Sequence, residues 1–188
     1  MVWAAAIFAA AFVALCLYFA TSRERAQIAI GGPFRLMSHT GEVVDSEHLK
    51  GQPYAIFFGF THCPEVCPTT MTDMANLIDR LGPEAKDFKV YFVSVDPERD
   101  TPEALRGYLS AFEPHMIGLT GSPDEVAQVA REFRVYYRKV SIGDDDYTID
   151  HSAFVYLMGA DGKFATVLHY QEPEDQALAK LKKLFAGS

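Results

Sequence analysis

The hydrophobic pattern divides the chain into one long apolar segment and a mixed remainder. Residues 1–20 are all apolar and contain neither a charge nor a proline. Residues 54–60 and 89–95 are short apolar runs of strand length, a pattern typical of strands that are covered on both faces. Between them, residues 66–81 place apolar side chains at helical spacing. The pattern therefore predicts a strand, a helix and a second buried strand in succession.

The remaining segments continue the alternation and predict a mixed sheet. They are a small edge hairpin (34–37 and 42–44), a helix (101–112), a short strand (116–119), a helix (123–133), a second hairpin (149–157 and 164–169, with a turn at 160–162) and a last helix (173–185). A βαβαβ half followed by ββα gives a central sheet with two parallel strands and an antiparallel hairpin, flanked by helices. This order predicts an α/β protein with a thioredoxin-like fold.

The apolar segment is long enough to cross a bilayer, because twenty helical residues rise about 30 Å, the thickness of the hydrocarbon core. A buried core helix is disfavoured since the segment has no polar face. A cleaved signal peptide is disfavoured since residues 18–22 match a cleavage site poorly, and a lipoprotein site at Cys16 is weak since a large residue precedes it. We therefore predict a transmembrane signal anchor over residues 1–22, a linker over 23–33 and a thioredoxin-like domain over 34–188.

The composition of the chain after the apolar segment indicates one globular domain and argues against a nucleic-acid partner. The net charge is -8, from 17 basic and 25 acidic residues, and no basic cluster is present, whereas phosphate binding needs concentrated Lys and Arg. A chain of this length is enough for one hydrophobic core. Of the three cysteines, one lies in the apolar segment. The globular part therefore has a single pair, which is too few for a disulfide scaffold.

The cysteine pair, Cys63 and Cys67, falls where the first buried strand gives way to a helix. The positive end of a helix promotes ionisation of a thiol, and the thiolate is the form that attacks disulfides and binds metals. A separation of four residues places both sulfurs on one helical face. One alternative is burial as small apolar residues. Another is a structural zinc site, which needs four protein ligands where the pair supplies two.

A third ligand is sought among six histidines. His151 is favoured because the loop that enters the next sheet strand lies against the cysteine turn in the thioredoxin arrangement, and no proline lies near it to block the imidazole. Two thiolates and one imidazole form a soft ligand set of few members, which favours copper, as Cu(I) or Cu(II). Asp96 follows the second buried strand at the same sheet edge. We expect it to support the ligands without binding metal; the alternative is a turn residue before Pro97.

Three motifs resemble the Sco (synthesis of cytochrome c oxidase) proteins, a family also called SenC or PrrC. They are FGFTHCPEVCP at 58–68, VSVDPERDTP at 93–102 and DYTIDHSAFVYL at 146–157, and they occur in the family's order and spacing. The resemblance covers about residues 33–186. It implies a membrane-anchored thioredoxin fold that binds Cu(I) and Cu(II) through Cys63, Cys67 and His151. It also places Asp96 at an acidic position of the family.

The resemblance further implies a copper chaperone that helps to metallate the copper A centre in subunit II of cytochrome c oxidase, or that reduces the cysteines of that subunit. Other periplasmic copper carriers are expected as further partners. The expected location is a bacterial inner membrane, crossed once, with the domain in the periplasm; a mitochondrial inner membrane is the alternative. Arg23 and Arg25 follow the apolar segment and oppose this orientation by the positive-inside rule, but two arginines beside an acidic residue are a weak signal.

The residues leave two alternatives to copper delivery open. The first is a thiol-disulfide oxidoreductase in which Cys63 attacks and Cys67 resolves the mixed disulfide, so that the cysteines act as a catalytic redox pair. The second is a redox or copper sensor of the cell envelope, to which His62 or His115 would contribute. Copper binding and disulfide formation compete for the same two sulfurs. Loss of His151 is therefore expected to weaken copper binding and to leave the thiol chemistry in place.

Overall fold

The structure is a computed structural model that describes residue 12 and residues 30–112, 114–143 and 146–187. The predicted anchor, apart from residue 12, and most of the predicted linker lie outside these ranges. Within them, no helix has both the length and the apolar character needed to span a membrane.

The described residues form nine strands and four α-helices, joined by loops and two short 3-10 helices (Ser46–Leu49 and Gly82–Ala85). The strands are β1 (Arg35–Ser38), β2 (Val43–Asp45), β3 (Tyr54–Gly59), β4 (Lys89–Ser94), β5 (Met116–Thr120), β6 (Tyr137–Ser141), β7 (Tyr147–His151), β8 (Val155–Met158) and β9 (Phe164–Leu168). The helices are α1 (Val66–Leu81), α2 (Pro102–Leu109), α3 (Pro123–Glu132) and α4 (Glu174–Ala186).

Seven strands form the central sheet, in the order β2-β1-β5-β4-β3-β8-β9. β3, β4 and β5 are parallel, and the first and last hairpins pair with them antiparallel on either side. The sequence pattern predicted two parallel strands, and the structure has three, because β5 also pairs in parallel with β4. The edge position predicted for the first hairpin is confirmed. All six residues of β3 are buried, as expected for a central strand covered on both faces.

Local chemistry explains where the helices begin. Thr101 caps α2 by accepting a hydrogen bond from the backbone N–H of Ala104, and Pro102 follows at the first helical position, where no amide hydrogen is needed. Ser122 and Glu125 form a reciprocal capping box at α3. α1 begins at Val66 without such a side-chain cap; Cys67 lies in its first turn, and Cys63 lies in the loop just before it.

One prediction about the strands is wrong. Residues 149–157 were expected to form one strand, but the chain breaks between β7 and β8. The break occurs because the backbone N–H of Ser152 donates to the carbonyl of Tyr136, and the Ser152 hydroxyl accepts from the Tyr136 N–H. β7 therefore pairs with β6 as a separate two-stranded ribbon. β6 (YRKVS) was not predicted, because its charged and half-exposed side chains carry little apolar pattern.

Candidate metal centre

The cysteine turn connects the buried end of β3 to the first turn of α1. The backbone N–H of Cys63 donates to the carbonyl of Phe60 at 3.2 Å, which closes the turn. The Cys63 sulfur accepts a hydrogen bond from the backbone N–H of Cys67 at 3.3 Å, so a thiol occupies the place of a helix cap. Both cysteines are free and buried. The turn therefore holds two reduced sulfurs at the positive end of α1.

His151 reaches the cysteine turn from the end of β7. Its Nε2 lies 3.5 Å from the Cys67 sulfur, and its Nδ1 lies 3.1 Å from the carbonyl oxygen of Ser152. A carbonyl only accepts, so Nδ1 is the donor of that hydrogen bond, and Nε2 is the ring nitrogen that faces the sulfurs. The ring packs edge-on against Phe57 and Phe60, with centroid distances of 6.0 and 5.8 Å. A backbone carbonyl and two aromatic rings thus orient the imidazole.

These three side chains have the geometry of a metal site. The two sulfurs and one ring nitrogen all lie within 4.8 Å of one another. A metal ion bound at about 2.0–2.3 Å to such atoms holds them roughly 3.5–4 Å apart, so the site needs only a small contraction. Soft thiolates with one imidazole suit Cu(I) better than Mg, Ca or Mn. In the described part of the chain, no other cluster of three or more such side chains has this geometry.

The two cysteine side chains have very different pKa values. The side chain of Cys67 donates a hydrogen bond to Cys63 and lowers the pKa of Cys63 to about 4, although burial acts in the opposite direction. The same hydrogen bond, together with burial and the negative charge of Cys63, raises the pKa of Cys67 above its ordinary value. Cys63 is therefore a thiolate at neutral pH and Cys67 a thiol. Binding a metal ion to both sulfurs must release the Cys67 proton.

Asp96 is fully buried at the end of β4, but its partners are not the three candidate ligands. Its carboxylate accepts hydrogen bonds from the Tyr147 hydroxyl, at 2.7 Å, and from the Arg99 Nε. Tyr147 is the first residue of β7, and His151 is the last. The supporting role of Asp96 stays a prediction. Its carboxylate contacts the ribbon of β6 and β7 through Tyr147.

Asp100 is a second fully buried carboxylate, and the sequence pattern did not single it out. It accepts hydrogen bonds from the Thr61 N–H at 3.0 Å, the Thr61 hydroxyl at 2.6 Å and the Ser94 hydroxyl at 2.6 Å. It thereby ties the cysteine turn to the end of β4. Its position four residues after Asp96, at the carboxyl edge of a buried strand, is the signal that would have found it.

The other histidines do not join the site. The His62 side chain is 57% exposed and lies 4.0 Å from the Asp100 carboxylate. His39 is buried and its Nδ1 accepts from the backbone N–H of Gly118. His115 makes its hydrogen bond with the carbonyl of Phe88, at the opposite end of the parallel strands.

The fold and the site together define a class: a thioredoxin-like domain whose first strand–helix junction carries two thiols faced by an imidazole. A sequence model described as SCO1/SenC matches residues 22–186. The chain belongs to the SCO1/SenC family.

Individual relatives agree with this assignment. An SCO2-like protein of Rickettsia conorii is 43% identical over 139 residues, which cover 73% of this chain and 68% of the relative. The structure of Bradyrhizobium japonicum ScoI with copper bound is 46% identical, has a TM-score of 0.77, and is matched over 83% of this chain and 99% of that one. BsSco, described as a Sco family member of the cytochrome c oxidase assembly proteins with a disulfide switch, is 27% identical, with a TM-score of 0.67 and coverage of 85% and 96%.

Proposed function

We propose that this protein binds copper through Cys63, Cys67 and His151 and passes it to a partner during assembly of cytochrome c oxidase. The observation that carries the proposal is the convergence of two sulfurs and one imidazole nitrogen within 4.8 Å. The copper-bound ScoI of Bradyrhizobium japonicum, which is similar over most of the chain, supports copper as the cargo. The name given to BsSco supports the link to oxidase assembly.

The chemistry of the site suits a carrier. Cys63 is already a thiolate, so copper binding requires the loss of one proton, from Cys67. Three protein ligands leave room for a ligand from the partner, so the ion can pass through a shared coordination sphere. Oxidation of the two thiols to a disulfide removes two electrons and both thiolate ligands, and therefore abolishes the site.

The finer parts of the proposal rest on the sequence. We propose the copper A centre of subunit II as the destination, and Asp96 as a residue that supports the ligands. We also propose that residues 1–22 anchor the protein in a bacterial inner membrane with the domain in the periplasm. The support for an anchor is the twenty-residue apolar run without charge, whose helical length of about 30 Å matches the hydrocarbon core.

The ligand assignment is tested by titrating Cu(I) into the reduced, detergent-solubilised full chain against a competing chelator, without oxygen. The wild type is expected to bind one ion, and Cys63→Ser to lose this binding. His151→Ala should weaken it while still forming the Cys63–Cys67 disulfide on oxidation. His48→Ala is the control, because His48 is exposed and lies in a 3-10 helix away from the site. Unchanged affinity in His151→Ala would contradict the assignment.

A second function, thiol-disulfide reduction, is favoured by the unequal thiols. The Cys63 thiolate attacks a partner disulfide and forms a mixed disulfide, releasing one partner thiolate. Cys67 then loses its proton and attacks Cys63, which frees the second partner thiol and leaves a Cys63–Cys67 disulfide; two electrons pass to the partner. Because this route uses only the sulfurs, His151→Ala should keep reductase activity and Cys67→Ser should stop at the mixed disulfide. Mass spectrometry of the trapped adduct distinguishes the two functions.

A further inference from the structure

His151 lies on a ribbon that is separate from the central sheet. In the described ranges, neither β6 nor β7 pairs with a strand of the seven-stranded sheet; the two pair only with each other, with Tyr137 opposite His151. The position of the imidazole over the cysteine turn therefore depends on how the ribbon is held against the domain. Backbone pairing within the ribbon does not determine that position.

One face of β7 points towards the domain. Residues two apart on a strand share a face, so Tyr147, Ile149 and His151 lie on the same side. Ile149 is 4% exposed and belongs to the hydrophobic core, whereas its neighbour Asp150 is exposed. Tyr147 and His151 are four residues apart, which is about 13 Å along a strand. A contact at Tyr147 therefore helps to fix the course of the strand that brings His151 to the sulfurs.

The contact at Tyr147 is a part-buried polar cluster built around the buried Asp96 carboxylate, which we call the ribbon anchor: Asp96, Arg99 and Tyr147. The Tyr147 hydroxyl donates to the Asp96 carboxylate at 2.7 Å, and Arg99 donates through Nε to the other oxygen of that carboxylate. Arg99 also donates to the Tyr147 carbonyl at 3.0 Å, and its guanidinium lies 3.8 Å from the centre of the Tyr147 ring. Both the backbone and the side chain of Tyr147 are thus held by the loop after β4.

Other charged contacts of the ribbon lie at its exposed rim. Lys139 pairs with Glu98 at 2.7 Å, and Arg138 pairs with Asp150 within the ribbon at 3.3 Å. The side chains of both pairs are between 44% and 65% exposed. Exposed pairs contribute little, because water competes for each charge. The buried carboxylate of Asp96 is 0% exposed and has no comparable competition.

We propose that the ribbon anchor is the positioning device that keeps His151 facing the two sulfurs. This inference rests on the proposed function, since it assigns these residues a role in copper binding through His151. Asp96, Arg99 and Tyr147 touch neither the sulfurs nor the imidazole; they act by holding β7. Removing the Tyr147 hydroxyl leaves one oxygen of a buried carboxylate without its donor and removes one of the contacts that hold the strand that carries His151.

The test compares Tyr147→Phe with Arg138→Met, its control on the same ribbon, in the full chain. Residues that orient a metal ligand typically change affinity by about 10- to 100-fold. We expect a loss of this size in Cu(I) affinity for Tyr147→Phe and none for Arg138→Met. The coupling of the histidine nitrogen to Cu(II), measured by pulsed electron paramagnetic resonance, should weaken. Amide hydrogen exchange across β6 and β7 in the metal-free protein should become faster, while exchange in β3 and β4 stays unchanged.

Arg99→Lys is the second variant in case Tyr147→Phe does not fold. It keeps the positive charge but cannot contact Asp96 and the Tyr147 carbonyl at the same time, so the same losses are expected. Wild-type affinity and nitrogen coupling in a folded variant would overturn the positioning role. His151→Ala in the same series separates the two hypotheses. Full affinity in His151→Ala overturns the ligand assignment, whereas reduced affinity there with full affinity in Tyr147→Phe overturns only the anchor.

Discussion

Gly59, the last residue of β3, faces the sulfur of Cys67 across a space that has no room for a Cβ atom. A Cβ built there would lie 2.8 Å from the Cys67 sulfur, 2.8 Å from a ring carbon of Phe57 and 3.0 Å from a ring carbon of Phe92. The backbone of Gly59 is ordinary strand, so the requirement for glycine is steric. We predict that Gly59→Ala displaces the Cys67 sulfur and destabilises the domain.

The size of the effect follows from these distances. Non-bonded carbon atoms prefer separations of about 3.5–4.0 Å, so the new methyl group is too close by about 0.5 Å or more on three sides. Both rings are fully buried, and overpacking of this kind costs about 1–3 kcal/mol. For a domain of this size, each kcal/mol lowers the melting temperature by roughly 2–4 °C. The expected decrease is therefore roughly 2–12 °C.

The assay pairs calorimetry with copper titration, and Gly107→Ala is the matched control. Gly107 lies in α2, and a Cβ there would meet nothing within 4 Å. Alanine is favoured over glycine inside a helix by about 1 kcal/mol, so this variant should melt higher, not lower. Gly59→Ala should also bind Cu(I) about 10-fold more weakly or worse, because the sulfur of Cys67, a proposed ligand, is displaced by a substantial fraction of an ångström. Unchanged melting and unchanged affinity would refute the reasoning.

Three further perturbations follow from individual hydrogen bonds. Asp100→Ala leaves the buried Ser94 hydroxyl and the two half-buried donors of Thr61 without their acceptor, and should lower the free energy of unfolding in urea by about 2 kcal/mol. The ultraviolet thiolate absorbance of the reduced, metal-free protein should titrate near pH 4, so Cys63 is charged above that pH, and Cys67→Ala should raise the midpoint by removing the donor. Ser122→Ala removes the capping box with Glu125, and should cost about 1 kcal/mol in thermal unfolding.

Each of these has an outcome that contradicts it. Wild-type stability in Asp100→Ala would mean that the cysteine turn finds other acceptors. If the titration midpoint of Cys63 stays near pH 4 in Cys67→Ala, the low pKa is not caused by the neighbouring thiol, and the positive end of the helix would be its cause. For the cap, the conservative variant Ser122→Thr keeps a hydroxyl, and equal destabilisation by Thr and Ala would argue against the hydrogen bond.

The elements with a strong local pattern could be predicted from the sequence alone. The buried strands at 54–60 and 89–95 appear as β3 and β4, and the helix predicted over 66–81 appears as α1 with the same bounds. A central strand covered on both faces is a continuous apolar run, and an amphipathic helix repeats its apolar residues every three to four positions, so both patterns can be recognised in the sequence. The parallel pairing of β5 with β4 and the ribbon of β6 and β7 were missed. They depend on pairing between segments whose own patterns are weak.

The candidate ligands could also be proposed from the chain, because two cysteines four residues apart and one histidine in a recognisable motif carry the chemistry locally. What only the tertiary structure decided is how these groups are held. Gly59, Asp100 and Tyr147 contact or support the site through space. Tyr147 meets Asp96 across 51 positions of sequence, and Thr61 meets Asp100 across 39.

Such contacts arise because a buried carboxylate needs hydrogen-bond donors from the groups packed around it. A buried sulfur likewise needs a neighbouring residue small enough to leave room for it. Local sequence pattern does not record which groups these are. The chain by itself therefore determined the type of chemistry, two thiols and an imidazole at a strand–helix junction. The tertiary structure decided the geometry of that chemistry, because burial and long-range hydrogen bonds place the sulfurs and the ring within 4.8 Å of one another.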